Sequence, residues 1–108
     1  MHMRLSHLSL LSLVLLAACS SASGNPTSEE GIQRELVKAN YCETASDCVD
    51  VGAKCPFGCY LYVNKDEASR IRPMVEGFQS TCQYACIAIK GVECVQNKCE
   101  VIPDAPAL

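Results

Sequence analysis

The apolar positions fall into two regimes. From Leu5 to Leu16 they form one leucine-rich stretch, and beyond Ile32 they recur at the spacings of short helices and strands. The first stretch is shorter than the roughly 20 apolar residues that a spanning helix needs, and Arg4 precedes it, so it reads as a removable export signal. Further on, Thr27-Ser28-Glu29-Glu30 has the form of a capping box, and Ile32 and Leu36 make the stripe of a short helix ending near Asn40. Cys48-Val49-Asp50-Val51 alternates as a strand, with Val49 and Val51 on one face, before Gly52-Ala53-Lys54 turns the chain toward Cys55-Pro56. A second strand is predicted from Cys59 to Val63. Its Cys59, Leu61 and Val63 face the core while Tyr60 and Tyr62 project together on the other side.

Asn64-Lys65-Asp66-Glu67 is the clearest helix start, with Asn64 as cap, Glu67 at the reciprocal position, and Asp66 and Glu67 favouring the positive end of the dipole. Ala68, Ile71, Val75 and Phe78 then form a single apolar face. Pro73 interrupts the hydrogen-bond ladder and predicts a kink near Arg72 or two abutting pieces. The β-type runs Val92–Val95 and Lys98–Ile102 flank Gln96-Asn97, which reads as a hairpin turn. The expected fold is a small α+β disulfide-rich domain over residues 32–102. It combines a short, mainly antiparallel sheet with one main helix and a short N-terminal helix, and residues 103–108 are its flexible tail.

Leu16-Ala17-Ala18-Cys19 closes the apolar stretch and resembles the bacterial lipobox, where diacylglycerol is attached to a cysteine thiol and the chain is cut just before it. The resemblance implies a signal peptide over 1–18, a lipidated Cys19, and anchorage to a membrane of the cell envelope. The alternative is an ordinary signal peptide cut after Ala22. Residues 19–31 start with small polar residues, Ser20 to Thr27, that suit a flexible tether. Ser20 rather than Asp follows the cysteine, and similarity to the sorting rule of Gram-negative lipoproteins points to the outer membrane, on its periplasmic or surface face.

Of nine cysteines, eight lie beyond Cys19: Cys42, Cys48, Cys55, Cys59, Cys82, Cys86, Cys94 and Cys99. An even, dense set in a short exported chain predicts four disulfides that replace a generous core. Zinc held by Cys55, Cys59, Cys82 and Cys86 is the weaker alternative, since such sites belong mainly to reducing compartments. If Gln96-Asn97 is a two-residue turn, Cys94 and Cys99 lie opposite each other and a bond between them is geometrically allowed, though each can also pair elsewhere. The formal net charge is −3 and the basic residues are scattered, so a nucleic-acid partner is not expected.

From Tyr41 to Val101 the chain resembles small exported bacterial domains built on an eight-cysteine cluster. The residues that carry the likeness are Cys42 with Ser46-Asp47-Cys48-Val49, Cys55-Pro56-Phe57-Gly58-Cys59, Val63-Asn64-Lys65, Val92-Glu93-Cys94 and Asn97-Lys98-Cys99. The resemblance implies a disulfide-bonded module often carried on a lipoprotein, and it brings no activity.

The two histidines, His2 and His7, lie in the signal, so the exported part holds no Ser–His or Cys–His pair and no histidine-based zinc site. No Gly-rich phosphate loop appears, and no cofactor is expected. The carboxylates Asp47 with Asp50 read as a solvated turn, and Asp66 with Glu67 as helix capping. Three classes of function follow, in descending order. A binding or structural module would use an aromatic patch of Phe57, Tyr60 and Tyr62, with Tyr84 as a further ring, toward an envelope protein partner. A protease inhibitor would present the disulfide-pinned loop Lys54–Cys59. A thiol oxidoreductase stands last, because both close cysteine pairs are spaced by three residues and neither has a neighbouring His. Mass spectrometry of the membrane fraction is expected to find an acylated N-terminal peptide beginning at Cys19, and a mature start at Ser23 would refute lipidation.

Overall fold

Residues 25–104 are described in a computed structural model, so the expected signal over 1–18, the expected lipidation site Cys19, and residues 20–24 and 105–108 lie outside the described residues. The elements are a helix α1 (Glu29–Ala39), strands β1 (Cys48–Asp50) and β2 (Tyr62–Asn64), a helix α2 (Ala68–Gly77), and strands β3 (Ile89–Val95) and β4 (Lys98–Pro103). The sheet is divided into two antiparallel ribbons, β1 with β2 and β3 with β4. The chain is thus the expected α+β disulfide-rich domain, although its two helices are nearly equal in length. No helix among the described residues is long and apolar enough to cross a membrane.

Helix α1 starts at Glu29 with Ser28, not Thr27, as its N-cap: Ser28 Oγ accepts from Gly31 N at 3.1 Å. Thr27 is engaged elsewhere, because its N–H and hydroxyl both donate to Asn25 Oδ1. The Asn25–Ser28 turn folds against the first helical turn, and a Cβ at Gly31 would run into the Asn25 carbonyl. Ile32, Leu36 and Ala39 bury one face of α1. They meet Val51, Leu61 and Val63 from the β1–β2 region and Ala68, Ile71 and Val75 from α2.

The helix expected from Asn64 begins one turn later. Asn64 Oδ1 accepts from Asp66 N at 2.9 Å, capping a turn, while its Nδ2 donates to the Tyr41 carbonyl at 3.1 Å. This satisfied amide is the one buried polar side chain recorded among the described residues. Helix α2 runs through Pro73 as one element, not two. Pro73 lacks the N–H that would reach the Ser69 carbonyl, and both residues are exposed, so water can take the vacant acceptor. At the far end, Lys54 Nζ donates to the Glu76 and Phe78 carbonyls at 3.2 and 3.0 Å, placing a cation on the negative end of the helix.

Gln96 and Asn97 both take positive φ, 50° and 62°, as a two-residue hairpin turn requires. The register is as expected, with Val95 facing Lys98 and Cys94 facing Cys99. The bond between Cys94 and Cys99 does not form. Cys94 pairs with Cys42 and Cys99 with Cys48, at Cα separations of 6.0 and 5.8 Å. The reason lies in the linker after α1, which is hooked onto the same face of the hairpin. Cys42 N donates to the Asn97 carbonyl and Asn97 Nδ2 to the Cys42 carbonyl, both at 3.0 Å. The remaining pairs are Cys55–Cys82 and Cys59–Cys86, so the four sulfurs considered for zinc are committed to covalent bonds.

Asp47 organises the loop between Cys42 and Cys48. Its Oδ2 accepts from Glu43 N at 2.8 Å and Thr44 N at 3.2 Å, and Lys65 Nζ lies 3.4 Å from Oδ1. The Glu43 N–H foremost, then that of Thr44 and the Lys65 ammonium, holds its carboxyl below the ordinary aspartate value. The stabilisation is therefore complete above the unfolded-chain pKa and is lost as pH falls through the lower folded-state value. In denaturant titrations, the gap in midpoint between wild type and Asp47→Asn should be widest near neutral pH and close below about pH 4. A gap unchanged by acid would disprove the role.

Candidate functional site

The three aromatic residues singled out in the sequence come together, but not as a bare surface strip. They line a groove of about 290 Å³ between α1, the segment leading into β2, and the start of β4. Helix α1 supplies Gln33, Leu36 and Val37, followed by Asn40 just beyond its end. These sit at i, i+3, i+4 and i+7, one continuous helical stripe. The second wall is Phe57, Tyr60, Leu61 and Tyr62, and the third is Lys98, Cys99 and Glu100.

Each ring is held differently. Phe57 packs against the main core and meets Phe78 edge-on, with centroids 4.9 Å apart at 65°. Tyr62 packs against the cluster of Cys42, Cys48 and Cys99. Burial foremost, then the Asp50 carboxylate and Tyr60, raises its hydroxyl above the ordinary tyrosine value. Tyr60 is half-buried and belongs to neither packed cluster. It is the ring freest to meet a ligand. Tyr84, by contrast, is 46% exposed and lines a different recess with Cys55, Cys82 and Cys86.

Asn40 sets the groove's geometry. Its Oδ1 accepts from Cys99 N at 2.7 Å and its Nδ2 donates to the Cys99 carbonyl at 3.2 Å. In a two-residue hairpin the closing pair Val95–Lys98 is hydrogen-bonded, so the backbone groups of Cys99 point away from β3. The asparagine amide occupies that outer edge as a strand would. Sequence reading did not single out Asn40, Gln33 or Val37; the signal was there in their spacing with Leu36, and in Val37 being an apolar residue off the buried stripe, 62% exposed in the fold.

The carboxylates have structural partners. Asp50 Oδ1 accepts from Gly52 N at 2.8 Å, where Gly52 has a φ of 120°. Glu67 and Glu35 both accept from Arg70, which ties α2 to α1 at the surface. The Arg70 hydrogen bond is the main cause holding the Glu35 carboxyl below its ordinary value. The turn Lys54–Cys59 is closed on itself, since Lys54 and Gly58 exchange backbone hydrogen bonds at 3.0 and 3.1 Å, and its Cys55 is buried. The segment sewn to it, Gln79–Ala88, is irregular and exposed throughout, with Ile87 77% exposed.

No family model matches the chain, no curated protein matches it, and no solved structure matches it. The groove therefore stands on its own geometry. Phe57→Ala should lower stability by about 2 to 3 kcal/mol, since it removes a ring from the core and from Phe78. Tyr60→Ala should cost less than about 1 kcal/mol, because it touches neither packed cluster. Unfolding both variants with disulfides intact measures the difference, and equal losses would make Tyr60 a core residue.

Proposed function

We propose that this protein is an exported, lipid-anchored binding module of the bacterial cell envelope, working by contact and not by turnover. The observation that carries the reading is the groove in which Phe57, Tyr60 and Tyr62 meet an open stripe of α1. Aromatic rings supply large contact area at low entropic cost, and here they stand beside Gln33, Lys98 and Glu100, which offer hydrogen bonds and both signs of charge. Four disulfides around a small core make the surface rigid before binding, which reduces the ordering cost of association. The lipobox at Cys19 and the likeness to eight-cysteine exported domains support the location. The Gram-negative outer membrane is the location favoured by Ser20. The absence of histidine beyond His7 supports a non-enzymatic role.

A second reading, protease inhibition, is favoured by one feature. Gln79–Ala88 is an exposed, irregular segment bonded at Cys82 and Cys86 to the Lys54–Cys59 turn, the arrangement that presents a loop with little entropy left to lose.

The test is affinity capture from envelope extracts on the folded, untethered domain, with Tyr60→Ala and Ile87→Ala as parallel baits. A partner that binds wild type and is weakened more than about fivefold by Tyr60→Ala, but not by Ile87→Ala, supports the groove. A protease retained through Ile87 selects the second reading, and equal capture by reduced protein overturns both.

A further inference from the structure

Four of the eight paired cysteines meet at one place. Among the described residues, the Sγ atoms of Cys42, Cys48 and Cys99 lie within 4.8 Å of one another, and Cys94 is bonded to Cys42. The disulfides Cys42–Cys94 and Cys48–Cys99 therefore stand side by side. The register sets Cys94 opposite Cys99 at a non-hydrogen-bonded pair, where Cα atoms approach to about 4.5 Å, within the span of a disulfide. Cys42 and Cys48 flank the short 3-10 turn Ala45–Asp47, and their sulfurs are already neighbours. Both alternative pairings are thus close to the native ones in space.

We propose that these two bonds exchange partners within the folded protein when a thiol is present, giving Cys42–Cys48 and Cys94–Cys99. Cys94 is half-buried whereas the other three are buried, so an external thiolate enters there. It attacks the Cys94 sulfur, forms a mixed disulfide and releases the Cys42 thiolate. Cys42 attacks the Cys48 sulfur, forms Cys42–Cys48 and displaces the Cys99 thiolate. Cys99 attacks Cys94, closes the bond across the hairpin and returns the external thiolate. Two disulfides break and two form, no electrons are gained or lost, and the thiol is a catalyst.

The exchange removes both disulfide links between the β3–β4 hairpin and the linker after α1, leaving the main chain at Ile89 as its covalent attachment. The hairpin then rests on the Asn40–Cys99 and Cys42–Asn97 hydrogen bonds and on the packing of Tyr62 and Val92 around the sulfurs. Because β4 is one wall of the groove, the exchange would loosen that wall; this consequence rests on the proposed function, while the exchange itself does not.

Trypsin distinguishes the two states without reduction. In the native pairing, peptides Ala39–Lys54, Gly91–Lys98 and Cys99–Leu108 travel as one linked unit. After exchange, Ala39–Lys54 runs alone with an internal bond, and Gly91–Lys98 is joined to Cys99–Leu108. Peptides Cys55–Lys65 and Ile71–Lys90, held by the other two disulfides, are an internal control for unfolding. The purified protein is incubated in buffer with less than one equivalent of reduced glutathione, then quenched with acid and alkylated. The exchanged peptides should rise about tenfold over a thiol-free sample while the control pair stays joined. No rise, or a rise only in step with separation of the control pair, overturns the proposal.

Discussion

The amide of Asn40 donates to and accepts from the backbone of Cys99, and on the same hairpin face Cys42 and Cys48 close disulfides to Cys94 and Cys99. This junction fastens the linker after α1 to the C-terminal hairpin, with Tyr62 and Val92 packed around its sulfurs. The hairpin contributes Cys99 to a cluster of sulfurs, not to the aliphatic core, which is built from α1, α2 and the residues around β1 and β2. Each bond closes a loop of more than 50 residues, with sequence separations of 52 and 51. In the chain-entropy account, long loops of this kind give about 4 kcal/mol each by restricting the unfolded chain. That is comparable with the whole net stability of a small domain.

The groove follows from the same junction. Its walls come from α1, from the approach to β2 and from β4, three segments that share no single secondary-structure element. Asn40 joins the first to the third, and Tyr62 leans on the sulfur cluster from the second. The rings are accordingly fixed by covalent and hydrogen-bonded neighbours instead of by a deep core. Phe57 illustrates the limit of this arrangement, being both a wall of the groove and a plug on the main core. A substitution there changes stability and shape together, so Tyr60 reports on contact more cleanly.

Local chemistry made much of the fold legible. The apolar spacing of Ala68, Ile71 and Val75 corresponds to the buried face of α2, with Phe78 packed on the same core just past its end, and Ile32 with Leu36 to that of α1. Gln96-Asn97 announced its turn, and with it the facing of Cys94 and Cys99, because few side chains tolerate left-handed backbone there. Caps were less legible, since several polar side chains compete for the same few N–H groups. Ser28 took the place of Thr27, and Asn64 spent its oxygen on a turn and its nitrogen on Tyr41. The strand expected from Cys59 to Val63 begins only at Tyr62, so Tyr60 shares the groove with Tyr62 from irregular backbone, and nothing local revealed that α1 would roof them.

The chain's own residues thus specify the elements, the cysteine count that demands bridges and the hairpin register, all of which depend on neighbours a few positions apart. Which sulfur meets which was settled only in three dimensions. Cys94 and Cys99 are ideally placed for each other within the hairpin, but the linker is carried to that face by Asn40 and Asn97, and it brings Cys42 and Cys48 with it. A disulfide forms between sulfurs that share a place in space, and that place is set by contacts between residues more than 50 positions apart, which no local pattern encodes.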